Sequence, residues 1–154
     1  MSVSTRKFKT KIDFNAPALK KDAQKLLELL GYGDFSLSIL LTNNEIIQEY
    51  NKIYREKDMP TDVLSFAFHA ELKPGEKIEV CCDDEKELGD LVISLEYVEK
   101  DAQNWNETLE ERMQTLLVHG ICHLLGYDHE LDEDYVIMNK EEKRLLSQLG
   151  RYEK

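Results

Sequence analysis

Residues 119–129 read His119-Gly120-Ile121-Cys122-His123-Leu124-Leu125-Gly126-Tyr127-Asp128-His129 and hold three of the chain's four histidines. On a helix, His119 and His123 project from one face, one turn apart. Gly126 stands where a left-handed cap would end that helix, so the chain can turn and bring His129 back toward the same point. Three imidazoles converging from a helix and the turn after it are the ligand set of a catalytic zinc site, with one position left open for water. The spacing equals the His-x-x-x-His-x-x-Gly-x-x-His frame of metzincin proteases, except that their general-base glutamate is Gly120 here. Two histidines four apart are ordinarily surface or satisfied core residues. The third, at this offset after a helix-ending glycine, makes the metal reading. It predicts one zinc per chain on His119, His123 and His129, although nickel or another divalent ion also suits imidazoles. His69 lies far off in sequence and reads as a solvated loop residue.

Such a metal can bring the pKa of bound water from about 15.7 down to about 7 and can polarise a carbonyl or phosphoryl oxygen. With Gly120 in place of glutamate, the proton acceptor for peptide hydrolysis is missing. Asp128 and Glu130 flank His129 and are the nearest replacements in sequence. Asp128 reads better as the partner that fixes a ligand imidazole through its ring N–H. Gly120, with no side chain, would let substrate or backbone approach the metal. Arg55, in a polar turn before a strand, would pass for a surface group on its own. Beside a metal it suits a phosphate, since its planar fork binds two oxygens and keeps its charge. Charge developing on non-bridging oxygens during phosphodiester cleavage would then meet zinc and arginine together.

The rest of the chain supplies a scaffold. Residues 3–14 read as an extended edge strand. Asn15-Ala16-Pro17 opens a helix striped by Leu19, Ala23, Leu26, Leu27 and Leu30 and closed by Gly31. Phe35 to Leu41 is a covered strand. Thr42-Asn43-Asn44-Glu45 has the capping-box form, ahead of a helix lined by Ile46, Ile47, Tyr50, Ile53 and Tyr54. Residues 51–62 form a polar turn before the strand from Val63 to Phe68, and residues 69–87 form a long acidic loop. A strand over 88–94 and a short helix over 95–105 follow. Thr108 to Glu111 caps the central helix, and Asp132 is expected to cap a last helix running to Gly150. Strands alternate with helices, which predicts an α+β fold: a single mixed, mostly parallel sheet of four to five strands with helices on both sides. The whole of 1–154 is expected to be one domain.

Composition narrows the setting. The net charge is −11, against the basic balance of a generic nucleic-acid binder, although Arg6, Lys7, Lys9 and Lys11 precede the first acid at Asp13. Two readings stand side by side: a basic edge on an acidic body, or charged runs that are simply solvated surface. No apolar run is long enough for a membrane span, and no apolar core follows Met1-Ser2-Val3-Ser4 as in a secretory leader, so a cytoplasmic protein is expected. Cys81, Cys82 and Cys122 are odd in number and form no CxxC pair, which argues against a disulfide framework. Cys122 reads as a small buried hydrophobe.

The histidine stretch resembles the HGxLHLxGYDH motif of the YbeY family of bacterial endoribonucleases. Two further blocks are similar: Asn51-x-x-Tyr54-Arg55-x-Lys57-Asp58-x-x-Thr61-Asp62-Val63-Leu64-Ser65-Phe66 and Leu88-Gly89-Asp90-Leu91-Val92-Ile93-Ser94. They stand in family order over most of the chain. Cys122 replaces a more usual leucine, and Ala67 a frequent proline. The resemblance implies a zinc on His119, His123 and His129 and single-strand-specific RNA cleavage with Arg55 as the catalytic or RNA-contacting arginine. It also implies a place in small-subunit ribosomal RNA maturation and ribosome quality control, with ribosomal RNA and small-subunit proteins as partners. Two other readings compete: a zinc-dependent protease or other hydrolase, and a non-catalytic ribosome assembly factor with a structural metal.

Overall fold

In a computed structural model, which describes residues 3–150, four strands and five helices follow one another. The order is β1 (Val3–Lys7), α1 (Ala16–Leu29), β2 (Ser36–Thr42), α2 (Asn44–Arg55), β3 (Val63–Ala67), β4 (Glu87–Ser94), α3 (Leu95–Asn104), α4 (Leu109–Leu124) and α5 (Asp132–Gln148). The two ends of the expected 1–154 domain, Met1 and Ser2 among them, lie outside the described residues. The sheet runs β1-β2-β4-β3. β1 pairs with β2 and β2 with β4 in parallel, while β3 lies antiparallel on β4 at the edge. The expected mixed, mostly parallel sheet is therefore present.

Alternation divides the sheet between two unequal cores. Val3, Leu37, Ile39, Leu41, Leu91 and Ile93 face one side and join α1, α3 and α4 in the main core. On the other side α2 alone packs, and its cluster is small: Ile47, Leu64 and Val92 are buried there. Each fully buried aliphatic side chain contributes about 1.5–3 kcal/mol, so the main core dominates the fold. α5 packs on α4 through Met138 and Leu145.

Several local expectations are corrected. α2 is capped by Asn43, whose side chain accepts from the Ile46 amide at 2.8 Å. Thr42 is instead buried as the last residue of β2, its hydroxyl donating to the Phe8 carbonyl. α2 also runs on through Arg55, so the polar turn begins only at Glu56, in the left-handed conformation. α5 has no side-chain cap, because Asp132 is already its first helical residue after Leu131. β1 is shorter than the extended stretch expected over 3–14. The capping box at Thr108 is present in full, with reciprocal bonds between Thr108 and Glu111.

Candidate metal centre and cleft

α4 ends as its sequence requires. Gly126 takes φ +96°, its N–H donates to the His123 carbonyl, and the Tyr127 N–H reaches back to the Cys122 carbonyl. This pair of bonds is a Schellman motif. The reversal sets the Tyr127 carbonyl 2.9 Å from His123 Nδ1 and brings His129 back over the helix end. One donor atom from each of His119, His123 and His129 then lies within 4.8 Å of the others. The rings sit close together, with centroids 4.5 Å apart for His119–His123, 5.5 Å for His119–His129 and 5.3 Å for His123–His129.

The hydrogen bonds around these rings decide what they can hold. His119 Nδ1 lies 2.9 Å from Glu142 Oε2, as His123 Nδ1 does from the Tyr127 carbonyl. An ionised carboxylate and a carbonyl only accept, so each Nδ1 carries the hydrogen and each Nε2 presents a lone pair. The two Nε2 atoms face each other at 3.0 Å. Facing lone pairs repel unless a cation or a proton lies between them. A proton serves only one pair, whereas a metal ion serves all three rings. Burial, followed by the neighbouring His119 and His129, pushes the pKa of His123 down to about 4, which keeps it in the neutral, ligating form. The donor set fits a divalent ion, and the triad can bind one.

The cleft around the triad has a volume of about 870 Å³, and Arg55 lines it together with His119, His123 and His129. Arg55 comes from the far end of α2. Its Nη2 donates to the Ser65 carbonyl at 2.8 Å, its Nη1 to the Tyr54 carbonyl at 3.3 Å, and its guanidinium stacks over Phe66. Asn51, buried on α2, donates to the Met59 carbonyl and holds the polar turn against the same cleft. On the opposite wall, the long loop contributes Leu72, Lys73 and Pro74. A Cβ at Gly126 would collide with the Leu72 carbonyl, so loop and helix end touch backbone to backbone there.

Other sequence expectations land differently. Asp128 lines the cleft, but its Oδ1 accepts from the Glu130 amide at 3.4 Å. The carboxylate that partners a triad histidine is Glu142 on α5, which the sequence reading missed. Its signal was present, since Glu141 and Glu142 interrupt the apolar face that carries Met138 and Leu145. Gly120 does not open toward the triad; a Cβ there would meet Leu91 Cδ2 of β4 at 2.7 Å. His69 stands apart, its Nε2 2.8 Å from the Glu85 carbonyl, tying down the long loop. Cys122 is fully buried, as its reading required, while Cys81 and Cys82 are exposed. No helix among the described residues is long and apolar enough to cross a membrane.

Residues 4–150 match the family model described as Endoribonuclease YbeY. The human Endoribonuclease YbeY is 35% identical, over 98% of this chain and 90% of its own length. The Aquifex aeolicus protein of that name is 42% identical over 86% and 83%, and the Fusobacterium nucleatum one is 46% identical over 74% and 67%. A Thermotoga maritima protein solved in solution superposes with a TM-score of 0.55 at 23% identity, covering 96% of this chain and 90% of that one, which speaks to the fold alone. With these similarities over most of its length, the chain belongs to the YbeY endoribonuclease family.

Proposed function

We propose that this protein is a zinc-dependent endoribonuclease that cuts single-stranded RNA during maturation of the small-subunit ribosomal RNA 3′ end and in ribosome quality control, in the cytoplasm. The observation that carries the reading is the shared cleft, lined both by three converging histidines, two of them with inward lone pairs, and by a guanidinium. His119, His123 and His129 would hold the ion, which when bound supplies Lewis acidity and a water made acidic near neutral pH. Glu142 and the Tyr127 carbonyl keep the two helix imidazoles in the ligating tautomer. Arg55 has five N–H donors, of which two are directed at carbonyls, so the rest can engage a phosphate oxygen and the charge that builds on it. Asp62 and Asp128 are the carboxylates lining the cleft. Asp62 accepts from the Val63 amide at 2.6 Å and Asp128 from the Glu130 amide at 3.4 Å, the longer and weaker bond, which leaves Asp128 as the freer proton acceptor for water. Ribosomal RNA and small-subunit proteins are the partners this reading names.

The protease alternative loses ground because position 120 points at Leu91 in the core, where no base could reach a substrate. The test is cleavage of a single-stranded ribosomal RNA fragment by wild type, Arg55→Ala and His119→Ala, with zinc measured on each preparation. His119→Ala should lose metal and cutting together, whereas Arg55→Ala should keep metal and lose cutting. Cleavage that persists in His119→Ala defeats the reading: the cutting then comes from a contaminant or from elsewhere in the chain, and the histidine centre is better read as the metal site of an assembly factor.

A further inference from the structure

The sheet face turned away from α4 is only partly covered. α2 shields Leu64 and Val92, and beyond it lie two hollows of about 380 and 430 Å³ that share Leu40, Tyr50 and Tyr54. Aromatic rings and cations interleave along this surface. Arg55 lies over Phe66, with its guanidinium carbon 4.9 Å from the ring centre. Phe66 meets Tyr54 edge-on at 5.3 Å, and Tyr54 stacks on Tyr50 at 6.0 Å. At the β1 edge, Arg6 and Lys9 flank Phe8 at 5.1 and 5.4 Å. Tyr54 is 57% exposed, so a ligand can reach its ring.

We propose that this basic–aromatic surface, from Arg55 through Phe66, Tyr54 and Tyr50 to Phe8 and Arg6, is a second binding track for single-stranded RNA, carrying nucleotides that flank the cut. The inference rests on the ribonuclease reading above and extends it. Continuity supports it, because Arg55 belongs to both places: it lines the histidine cleft and stacks on the first ring of the track. A strand with a phosphate at Arg55 therefore meets an aromatic face at its next nucleotide. Charge supports it as well. In a chain of net charge −11, the opening segment places Arg6, Lys7, Lys9 and Lys11 together before any acid. Tyr54 is exposed, while Phe8, Tyr50 and Phe66 are half-buried; cations beside solvent-reachable rings bind unpaired strands without strict sequence demand, the rings stacking bases and the cations tracking phosphates. Glu49 and Asp90 also line the hollows; as acceptors they suit the amino groups of bases. Both signs thus have a partner on RNA.

The test is fluorescence anisotropy of the full-length protein with labelled, unstructured RNAs of four and twelve nucleotides. Wild type is compared with Tyr54→Ala and with the double variant Arg6→Glu/Lys9→Glu, alongside cleavage of both RNAs. The track requires Tyr54→Ala to bind the 12-mer about 10-fold more weakly. It requires the double variant to flatten the salt dependence of log K by about 0.7 for each phosphate it no longer neutralises. Binding and cutting of the 4-mer, which fits the cleft alone, should be unchanged. Weakening on the 4-mer to the same degree overturns the track, because the effect then passes through Arg55. Unchanged 12-mer binding by both variants, with wild type still cutting RNA, overturns the track alone and gives this face to a protein partner. Failure of wild type to bind or cut either RNA overturns the ribonuclease reading and the track with it.

Discussion

Removing the carboxylate behind His119 gives the most direct check on the metal centre. Glu142 reaches His119 Nδ1 at 2.9 Å from α5, and the two side chains are 19% and 26% exposed. In Glu142→Gln the charge goes but an acceptor oxygen remains, whereas Glu142→Ala frees the ring to rotate and to change tautomer. Partners of this kind typically contribute 10- to 100-fold to metal affinity. Because water partly screens the pair, Gln is expected near the lower end, about 1.4 kcal/mol, and Ala toward the upper end, about 2.7 kcal/mol. The assay is competition for zinc against a chromophoric chelator at fixed pH, with His119→Ala as the reference for a missing ligand. Unfolding of the metal-free variants is measured in parallel and should shift by about 1 kcal/mol, the net contribution of one hydrogen bond. Wild-type zinc affinity in Glu142→Ala would refute both the tautomer assignment and the convergence of lone pairs built on it.

Three further outcomes follow from the same geometry. Gly126→Ala combines a left-handed backbone, costing about 1–2 kcal/mol, with a collision on the Leu72 carbonyl. Its urea midpoint should fall and its 69–87 loop should become more protease-sensitive, and a wild-type midpoint would count against the backbone contact. The metal-free protein should lose stability as pH falls from about 6.5 toward about 4. His123 is held near 4 when folded and rises to an ordinary histidine value when unfolded, so the unfolded chain binds more protons in that window; flat urea midpoints across it would show that His123 is not buried as described. Burial pushes the Cys122 thiol far above its usual range, so a thiol reagent should modify Cys81 and Cys82 in the native protein and reach Cys122 only after denaturation.

Much of the architecture was legible because it is written in local terms. The stripe from Leu19 to Leu27, the box at Thr108 and the stop at Gly126 each depend on residues within a turn or two. What escaped the sequence depends on contacts between distant segments. Thr42 looked like a cap, but it was claimed by the sheet and bonded to Phe8, 34 residues away, leaving the cap to Asn43. Asp128 sat beside a ligand in sequence, yet the tight turn carried its carboxylate to Glu130, and it was the His119 imidazole that found a carboxylate, Glu142, 23 residues on. Gly120 was open to two explanations, substrate access or close packing, and only the approach of Leu91 decides between them. The co-location of Arg55 with the histidines is likewise invisible in spacing, because 64 residues and a change of sheet face separate Arg55 from His119.

That separation bears on how a protease-like histidine frame can serve RNA. The frame itself specifies a metal and an open position, and nothing in it distinguishes a peptide carbonyl from a phosphate. Discrimination must come from what else enters the cleft. Position 120, which carries the base in the protease frame, is closed here by the packing of α4 on Leu91, so restoring a glutamate would disrupt the core before it supplied a base. α2, packed on the opposite sheet face, extends Arg55 past the β3 edge into the cleft and anchors it on the Ser65 carbonyl and the Phe66 ring. A fixed guanidinium favours an anionic, bidentate oxygen pair over a neutral carbonyl. On this reading, the choice of phosphodiester over peptide is made at the junction of α2 and β3 rather than on the histidine helix.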